Sequence, residues 1–473
     1  MIDFSSLRQI NCENEKPQFD RIQQVWMDHI PNREFVQNFQ GLAYPLTNNN
    51  NYTFSKFNSE KDFSNKIKEN IIFFDNINEI DDTNSEIFLL NNNESFDITI
   101  NLKYNENLSQ ERNKITKEKS NLNKNILFIY IDSLSRPHFF RKMKLVTKFL
   151  EKFNSEKNNT NYESFQFMKY QTFKKDYYKS SIQTIFYSHT INPNSIYQNI
   201  HILSNLKKNG YVCGQSANIC SKEFYSYDLE KETNYFKTTK IEEYDHENIA
   251  MFCDPFYFDD SEDTTNSFRK YVKGVNSSIK RCMYGKNSFE YILEYGYQFW
   301  SKYQNNTRFL RLGFFDGNEK TGEVIKYLDN YLYDYLNKLY KENLLKNTIL
   351  FIVSGQGNTY GDFFNTYIFE DFSIEKYIGT LFILIDKSNI DNNEIFINIR
   401  NNQQNMVTPY DIKETLESIM YNNFINSEME EKESQSGDFN RKGKSLFKYI
   451  NPKKRNCERY KQLNEEVCRC YEF

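Results

Sequence analysis

The chain has 473 residues, 38% hydrophobic and 17% aromatic, with 60 basic and 64 acidic side chains and a net charge of −4. That length allows one large domain with insertions or two to three ordinary ones, and the Phe and Tyr content supplies enough bulk for a core, which excludes wholesale disorder. No long basic stripe interleaves with aromatics, so there is no electrostatic footprint for nucleic acid.

Residues 1–120 read as an irregular and β-rich N-terminal region. Its strand-like pieces are IIFF at 71–74, EIFLL at 86–90 and FDITINL at 96–102. Residues 111–125 are rich in Lys and Asn and read as a linker. A core of residues 121–426 follows. Ile126 to Ile131 is a continuous apolar run ending at Asp132. Such a run predicts a strand covered on both faces, as in a parallel sheet. Met143 to Phe153 has the spacing of an amphipathic helix. Further strands are predicted at 211–214, 308–315, 348–355 and 379–386. Between the second and third of these, Val324, Tyr327, Leu328, Tyr331, Leu332, Tyr335, Leu336 and Leu339 form the apolar stripe of a crossover helix. Another helix is expected over 410–420. Residues 427–444 read as a mobile charged loop, and 445–473 as a Cys-rich tail packed on the core.

In an open α/β sheet, ligands sit at the carboxyl ends of the strands. Asp132 and Ser133 therefore fall at the functional edge. Asp132 can coordinate a divalent cation with Ser133 beside it as nucleophile, or it can cap the following turn. Arg136 can meet a substrate anion or a surface acid. At the next strand end, Ser354–Gly355–Gln356–Gly357 makes a tight turn, and Gln356 is a poor metal ligand. Asp316 can reach the same edge or serve as a helix start. His246, in YDHEN, reads as a weak ligand candidate or an ordinary turn residue.

The eight cysteines are Cys12, Cys213, Cys220, Cys253, Cys282, Cys457, Cys468 and Cys470. They lack the spacing of a zinc finger and fit either free thiols or disulfides. Disulfides are the expectation, with Cys253–Cys282 and Cys213–Cys220 as local pairs and Cys457, Cys468 and Cys470 holding the tail. Sequons begin at Asn51, Asn93, Asn107, Asn158, Asn276 and Asn305. No apolar run is long enough to span a membrane, and residues 1–20 lack the core of a signal peptide.

Taken together, NILFIYIDSLSRPHFFRKMKLVTKFL, CDPF at 253–256, LDNYLYDYLNKLYKENLLKNTILFIVSGQG, NMVTPYDIKETLESIM, GKSLF and RNCERYKQLNEEVCRC resemble a known family. It is the sulfatase-like family designated domain of unknown function 229, within the alkaline-phosphatase superfamily. The resemblance covers roughly residues 120–473. It implies an alkaline-phosphatase-like α/β fold, a central mostly parallel sheet sandwiched by helices, with metals at strand ends and a Ser, Thr or Cys nucleophile. It also implies a secreted or membrane-associated glycoprotein, lumenal or extracellular, with a signal or membrane anchor upstream of this chain.

By that resemblance, Asp132 matches the first metal ligand and Ser133 the nucleophile of an I-D-S-x-S-R motif that Ser135 and Arg136 complete. The family's Ser-Asp-His-Gly stands here as Ser354–Gly355–Gln356–Gly357, so Gly355 and Gln356 occupy lost ligand positions. Asp316–Gly317–Asn318–Glu319 takes the place of a segment that carries a His-Asp pair in the family. Asp245–His246 matches a retained Asp-His. The expectation is a catalytically degenerate sulfatase or phosphatase-like protein, an extracytoplasmic binding or structural module with no cofactor. Its ligand would be a glycan, a phosphate or sulfate ester, or a protein. The alternative is a metal-dependent hydrolase of phosphate or sulfate esters with a rewired site. Asp316, Glu319 or Asp362 would then substitute for the lost ligands, and a divalent ion such as zinc or calcium would be required.

Overall fold

The computed structural model describes residues 51–54, 71–74, 86–91, 96–119, 124–156, 158–172, 181–186, 202–218, 244–249, 252, 282–283, 286–317, 325–357, 376–388, 390, 393–422 and 443–452. Residues 427–442 of the loop expected at 427–444 and residues 453–473 of the tail lie outside them, as do Glu319 and Asp362.

The centre of the molecule is a seven-stranded sheet. Its strands in chain order are β5 (Asn125–Ile131), β6 (Tyr162–Gln166), β8 (Val212–Ala217), β9 (His246–Asn248), β12 (Arg308–Phe314), β13 (Thr348–Ser354) and β14 (Leu381–Asp386). The spatial order is β6-β14-β13-β5-β12-β8-β9, and the short β7 (Lys169–Tyr170) pairs outside it, in parallel, with β15 (Met406–Val407). All neighbouring pairs from β13 to β9 are parallel, and β14 runs antiparallel to both β13 and β6. This is the mixed, largely parallel alkaline-phosphatase-like architecture that the sequence predicts. β5 is central because its run is apolar on both faces. Leu127, Ile129 and Ile131 join one buried layer, and Ile126, Phe128 and Tyr130 the other.

Three helices cover the first face: α3 (Lys144–Ser155), α6 (Ser288–Lys302) and α7 (Lys326–Lys341). Their buried stripes include Val146, Leu150, Ile292, Trp300, Leu328 and Leu332. Each fully buried side chain of this kind contributes on the order of 2 kcal/mol. The α3 N-terminus has no side-chain cap of its own. Asp329 of α7 supplies one, accepting the backbone N–H of Leu145 at 2.9 Å and of Val146 at 2.9 Å. Burial raises the Asp329 carboxyl from its usual range, opposed by those same hydrogen bonds.

The opposite face is covered by α4 (Ser181–Phe186), α5 (Ile202–Lys208), α8 (Asn393–Asn402) and α9 (Pro409–Tyr421). Residues 445–450 lie on this side, with Leu446, Phe447 and Ile450 buried and the Asn402 amide bonded to the carbonyls of Leu446 and Lys448 at 2.8 Å each. The helix expected over 143–153 is α3, and a further short helix, α2 (Arg136–Lys142), precedes it.

Before the core, β1 (Asn51–Phe54), β2 (Ile71–Phe74), β3 (Ile87–Asn91) and β4 (Phe96–Ile100) form an antiparallel sheet of order β2-β1-β3-β4. The linker expected from residue 111 is instead helical: α1 spans Glu106–Lys119. Its Glu, Gln, Arg and Lys are good helix formers. Its attachment is polar, which hides it from an apolar-periodicity reading. Ser109 donates to the Asn306 side chain at 2.8 Å, Asn306 returns a bond to the Ser109 carbonyl at 3.0 Å, and Thr116 bonds to the carbonyl of Gly210 at 3.3 Å.

Two expectations are corrected. Cys213 in β8 is a buried thiol outside any disulfide, and its Sγ donates to the Tyr211 carbonyl at 3.7 Å, so the Cys213–Cys220 pair is not made. No disulfide occurs among the described residues. Cys213 belongs to the buried apolar layer that also holds Phe309, its neighbour in register on β12. Cys282 lies in the short strand β10 (Cys282–Met283), which pairs with β11 (Lys286–Asn287). Cys12, Cys220, Cys253, Cys457, Cys468 and Cys470 fall outside the described residues. The membrane expectation is likewise corrected within the described residues, where no helix is long and apolar enough to cross a bilayer.

Candidate functional site

The parallel register brings the ends of β5, β12 and β13 to one edge. Ile131 lies level with Phe314 and Ser354. The next residues are therefore Asp132, Phe315–Asp316 and Gly355–Gln356, three chain segments side by side at the carboxyl edge. Backbone bonds tie them: the Asp132 N–H donates to the Phe314 carbonyl at 2.8 Å and the Gly355 N–H to the Ile131 carbonyl at 3.3 Å.

Asp132 is half-buried. Its Oδ1 accepts the Tyr130 hydroxyl at 2.7 Å, and its Oδ2 lies 3.4 Å from the Ser133 Oγ. Tyr130 was not legible as a site residue, although a residue two before a strand-end Asp projects to the same face. Ser133 is 5% exposed and has φ +53°, a left-handed conformation that costs a non-glycine residue energy. The chain turns sharply there and enters α2, whose N-cap Ser135 accepts the His138 N–H at 3.1 Å. Arg136 turns along the edge toward β6. Its guanidinium lies 5.4 Å from the centre of the Phe140 ring, and the Gln166 amide oxygen, oriented by this network, accepts both Nε and Nη2 at 3.0 Å.

Asp316 is also at the edge, held on its β8 side. Asn218, which follows β8 as Asp132 follows β5, donates to the Asp316 Oδ2 at 2.8 Å and to the Ser288 Oγ at 2.8 Å. The Asn218 Oδ1 accepts the Phe315 N–H at 2.8 Å. The two glycines are packed closely against β5. A Cβ on Gly317 would lie 2.4 Å from the Asp132 carbonyl oxygen. One on Gly355 would lie 2.4 Å from the Tyr130 hydroxyl and 2.7 Å from the Asp132 Oδ1.

His246 is elsewhere. It pairs in register with Gly214, which is level with Leu310 and Leu127. Asp132 lies five residues farther along the strand direction, roughly 16 Å at the usual rise, and three strands away in the sheet order. The imidazole is buried. Its Nδ1 faces the Glu86 Oε1 at 2.8 Å and its Nε2 faces the Tyr303 hydroxyl at 2.7 Å. Tyr295 donates to the other Glu86 oxygen at 2.8 Å. Burial and then the Glu86 charge hold the Tyr295 phenol well above its ordinary value; for Tyr303, burial pushes the phenol up to about 12 against the opposing bond from Asn105 N–H. Asp245, next to His246, accepts the Cys213 N–H at 2.8 Å and pairs with Arg112 at 3.4 Å and Lys207 at 3.3 Å.

A divalent cation replaces its water shell with several anionic or imidazole ligands. Among the described residues no three His, Cys, Asp or Glu side chains form a cation-sized group. Asp132 meets a phenol and a glycine, Asp316 meets Asn218 and Ser288, and His246 lies on the edge strand β9, so the described residues do not bring His246 together with the two carboxylates.

Residues 263–473 match the model of the family described as Protein of unknown function (DUF229). That match covers the C-terminal part of the sheet described above, whose mixed, largely parallel α/β architecture is alkaline-phosphatase-like. No curated protein matches the chain. Among solved structures it is similar to the lipoteichoic acid synthase LtaP from Listeria monocytogenes, at 12% identity and TM-score 0.39, over 66% of this chain and 78% of that one. It is similar to the C-terminal periplasmic domain of EcEptC from Escherichia coli, at 10% identity and TM-score 0.39, over 70% and 91%. It is also similar to the phosphonate monoester hydrolase SpPMH from Silicibacter pomeroyi, at 10% identity and TM-score 0.41, over 63% and 73%.

Proposed function

We propose that this chain is a catalytically degenerate alkaline-phosphatase-type protein, working outside the cytoplasm as a binding or structural module rather than as an ester hydrolase. The observation that carries the reading is the state of Asp132. Its carboxylate accepts a phenol, and the neighbouring position is a glycine with no space for a side chain. Without a cation, a serine hydroxyl has no Lewis acid to lower its basicity or to stabilise charge on a transferred group. A glycan, a phosphate or sulfate ester, or a protein would then be held at this edge or on another surface without turnover.

The rewired hydrolase has one observation in its favour. Ser133 keeps a left-handed backbone directly after Asp132, a conformation that strand-end nucleophiles use to present a hydroxyl. The test is metal content, with aryl phosphate and aryl sulfate turnover, for the wild type and Asp132→Ala after equilibration with zinc or calcium. The proposal expects no stoichiometric metal and no turnover that depends on Asp132. Metal and turnover lost together in the variant would establish the hydrolase.

A further inference from the structure

The geometry points to Tyr130 as a built-in occupant of the Asp132 site: its hydroxyl takes the acceptor and the space that an outside ligand of Asp132, or a side chain at position 355, would need. This rests on the degenerate reading above and says what fills the place of a ligand.

Three observations meet here. The first is the bond from the Tyr130 hydroxyl to the Asp132 Oδ1 at 2.7 Å, a charge-assisted type stronger than one between neutral groups. The second concerns Gly355. Glycine is usually needed where φ is positive. Among the described glycines only Gly210 has such a φ, so the backbone at 355 accepts any residue. What excludes a side chain is space, because a Cβ would lie 2.4 Å from the Tyr130 hydroxyl and 3.3 Å from its Cζ. The third is that Tyr130 has nowhere to go. It is 2% exposed, sits in the buried layer with Phe128 and Val353, and its ring centre lies 6.0 Å from that of Phe315. The phenol and the glycine are therefore one device. The glycine makes room for the hydroxyl, and the hydroxyl satisfies the carboxylate from inside the fold.

The experiment is a pair of double-mutant cycles read by urea unfolding midpoints of the full chain. In the first, Gly355→Ala is made with Tyr130 and with Tyr130→Phe. The expected result is a strong loss of midpoint beside Tyr130 and a much smaller one beside Phe, a rescue that a purely structural glycine would not show. In the second, Tyr130→Phe is made with Asp132 and with Asp132→Ala, and its cost should largely vanish once the carboxylate is gone. Equal penalties in both backgrounds of either cycle would overturn the proposal. If Gly355→Ala does not fold beside Tyr130, folding of the double variant is the expected outcome. If neither folds, the second cycle decides alone. Additivity would remove Tyr130 as occupant and leave the degenerate reading standing, whereas metal held through Asp132 in the wild type would remove the degenerate reading itself.

Discussion

Two regions of the molecule carry residues of metal-ligand type, and they use them differently. At the carboxyl edge, Asp132, Ser133 and Asp316 stand where a ligand could arrive, and each carboxylate is met by a neutral hydroxyl or amide of the fold. At the edge strand β9, away from the carboxyl edge, Asp245 and His246 tie chain segments together. Asp245 joins α1, α5 and β8, and His246 joins Glu86 to Tyr303 at the end of α6. An Asp-His dipeptide says nothing by itself about catalysis. Its height in the sheet decides whether it can face a substrate or only the protein.

The comparison breaks most readily at the Asp245 clasp beside β9. Asp245→Ala removes the acceptor shared by the half-buried Arg112 and Lys207 and the Cys213 N–H, and should cost roughly 3 kcal/mol in urea unfolding. A loss of a few tenths would mean that the clasp is decorative. At the edge, Gly317→Ala drives a methyl into the Asp132 carbonyl. Because that neighbour is backbone, a cost of about 2 kcal/mol is expected, measured the same way. An unchanged midpoint would mean that the edge is looser than its packing implies.

A smaller effect sharpens the contrast at the other end of β5. Lys124 is buried, with Nζ on the carbonyls of Asp386 at 3.3 Å and Ser388 at 2.5 Å. Burial, partly offset by Asp386, lowers its amine to about 8 from 10.5. In that window the unfolded chain binds the proton that the folded chain has released, so stability from this group rises with pH. The penalty for burying the charge is complete below pH 8 and shrinks toward 10. The wild type minus Lys124→Met difference in unfolding midpoint should increase between pH 8 and 9.5. A flat difference would contradict the assigned environment.

Much of this architecture was legible in the sequence, and the reasons are particular. The run from Ile126 to Ile131 has no polar face, which only a strand with helices on both sides tolerates. The stripe of α7 shows a period of three and four. By contrast α1 was unreadable because Ser109, Thr116 and Arg112 fasten it rather than an apolar stripe. β6 and β14 read as strands or went unread without any sign of their antiparallel pairing, which no local pattern encodes. At the site, Asp132 and the glycine turn could be placed by their strand ends. Tyr130 could not, since a tyrosine in a buried strand reads as core. Its hydroxyl acquires meaning only when β13 delivers Gly355 beside it. His246 looked like a loop residue because its flanks are polar, yet those polar flanks are buried ion-pair and strand partners.

The most direct test of the central claim is elemental analysis of folded wild-type protein and Asp132→Ala after equilibration with zinc or calcium and exhaustive dialysis. The account predicts no stoichiometric metal in either protein. One equivalent retained by the wild type and lost in the variant would contradict it, returning Asp132 to the role of ligand and Tyr130 to that of an ordinary neighbour.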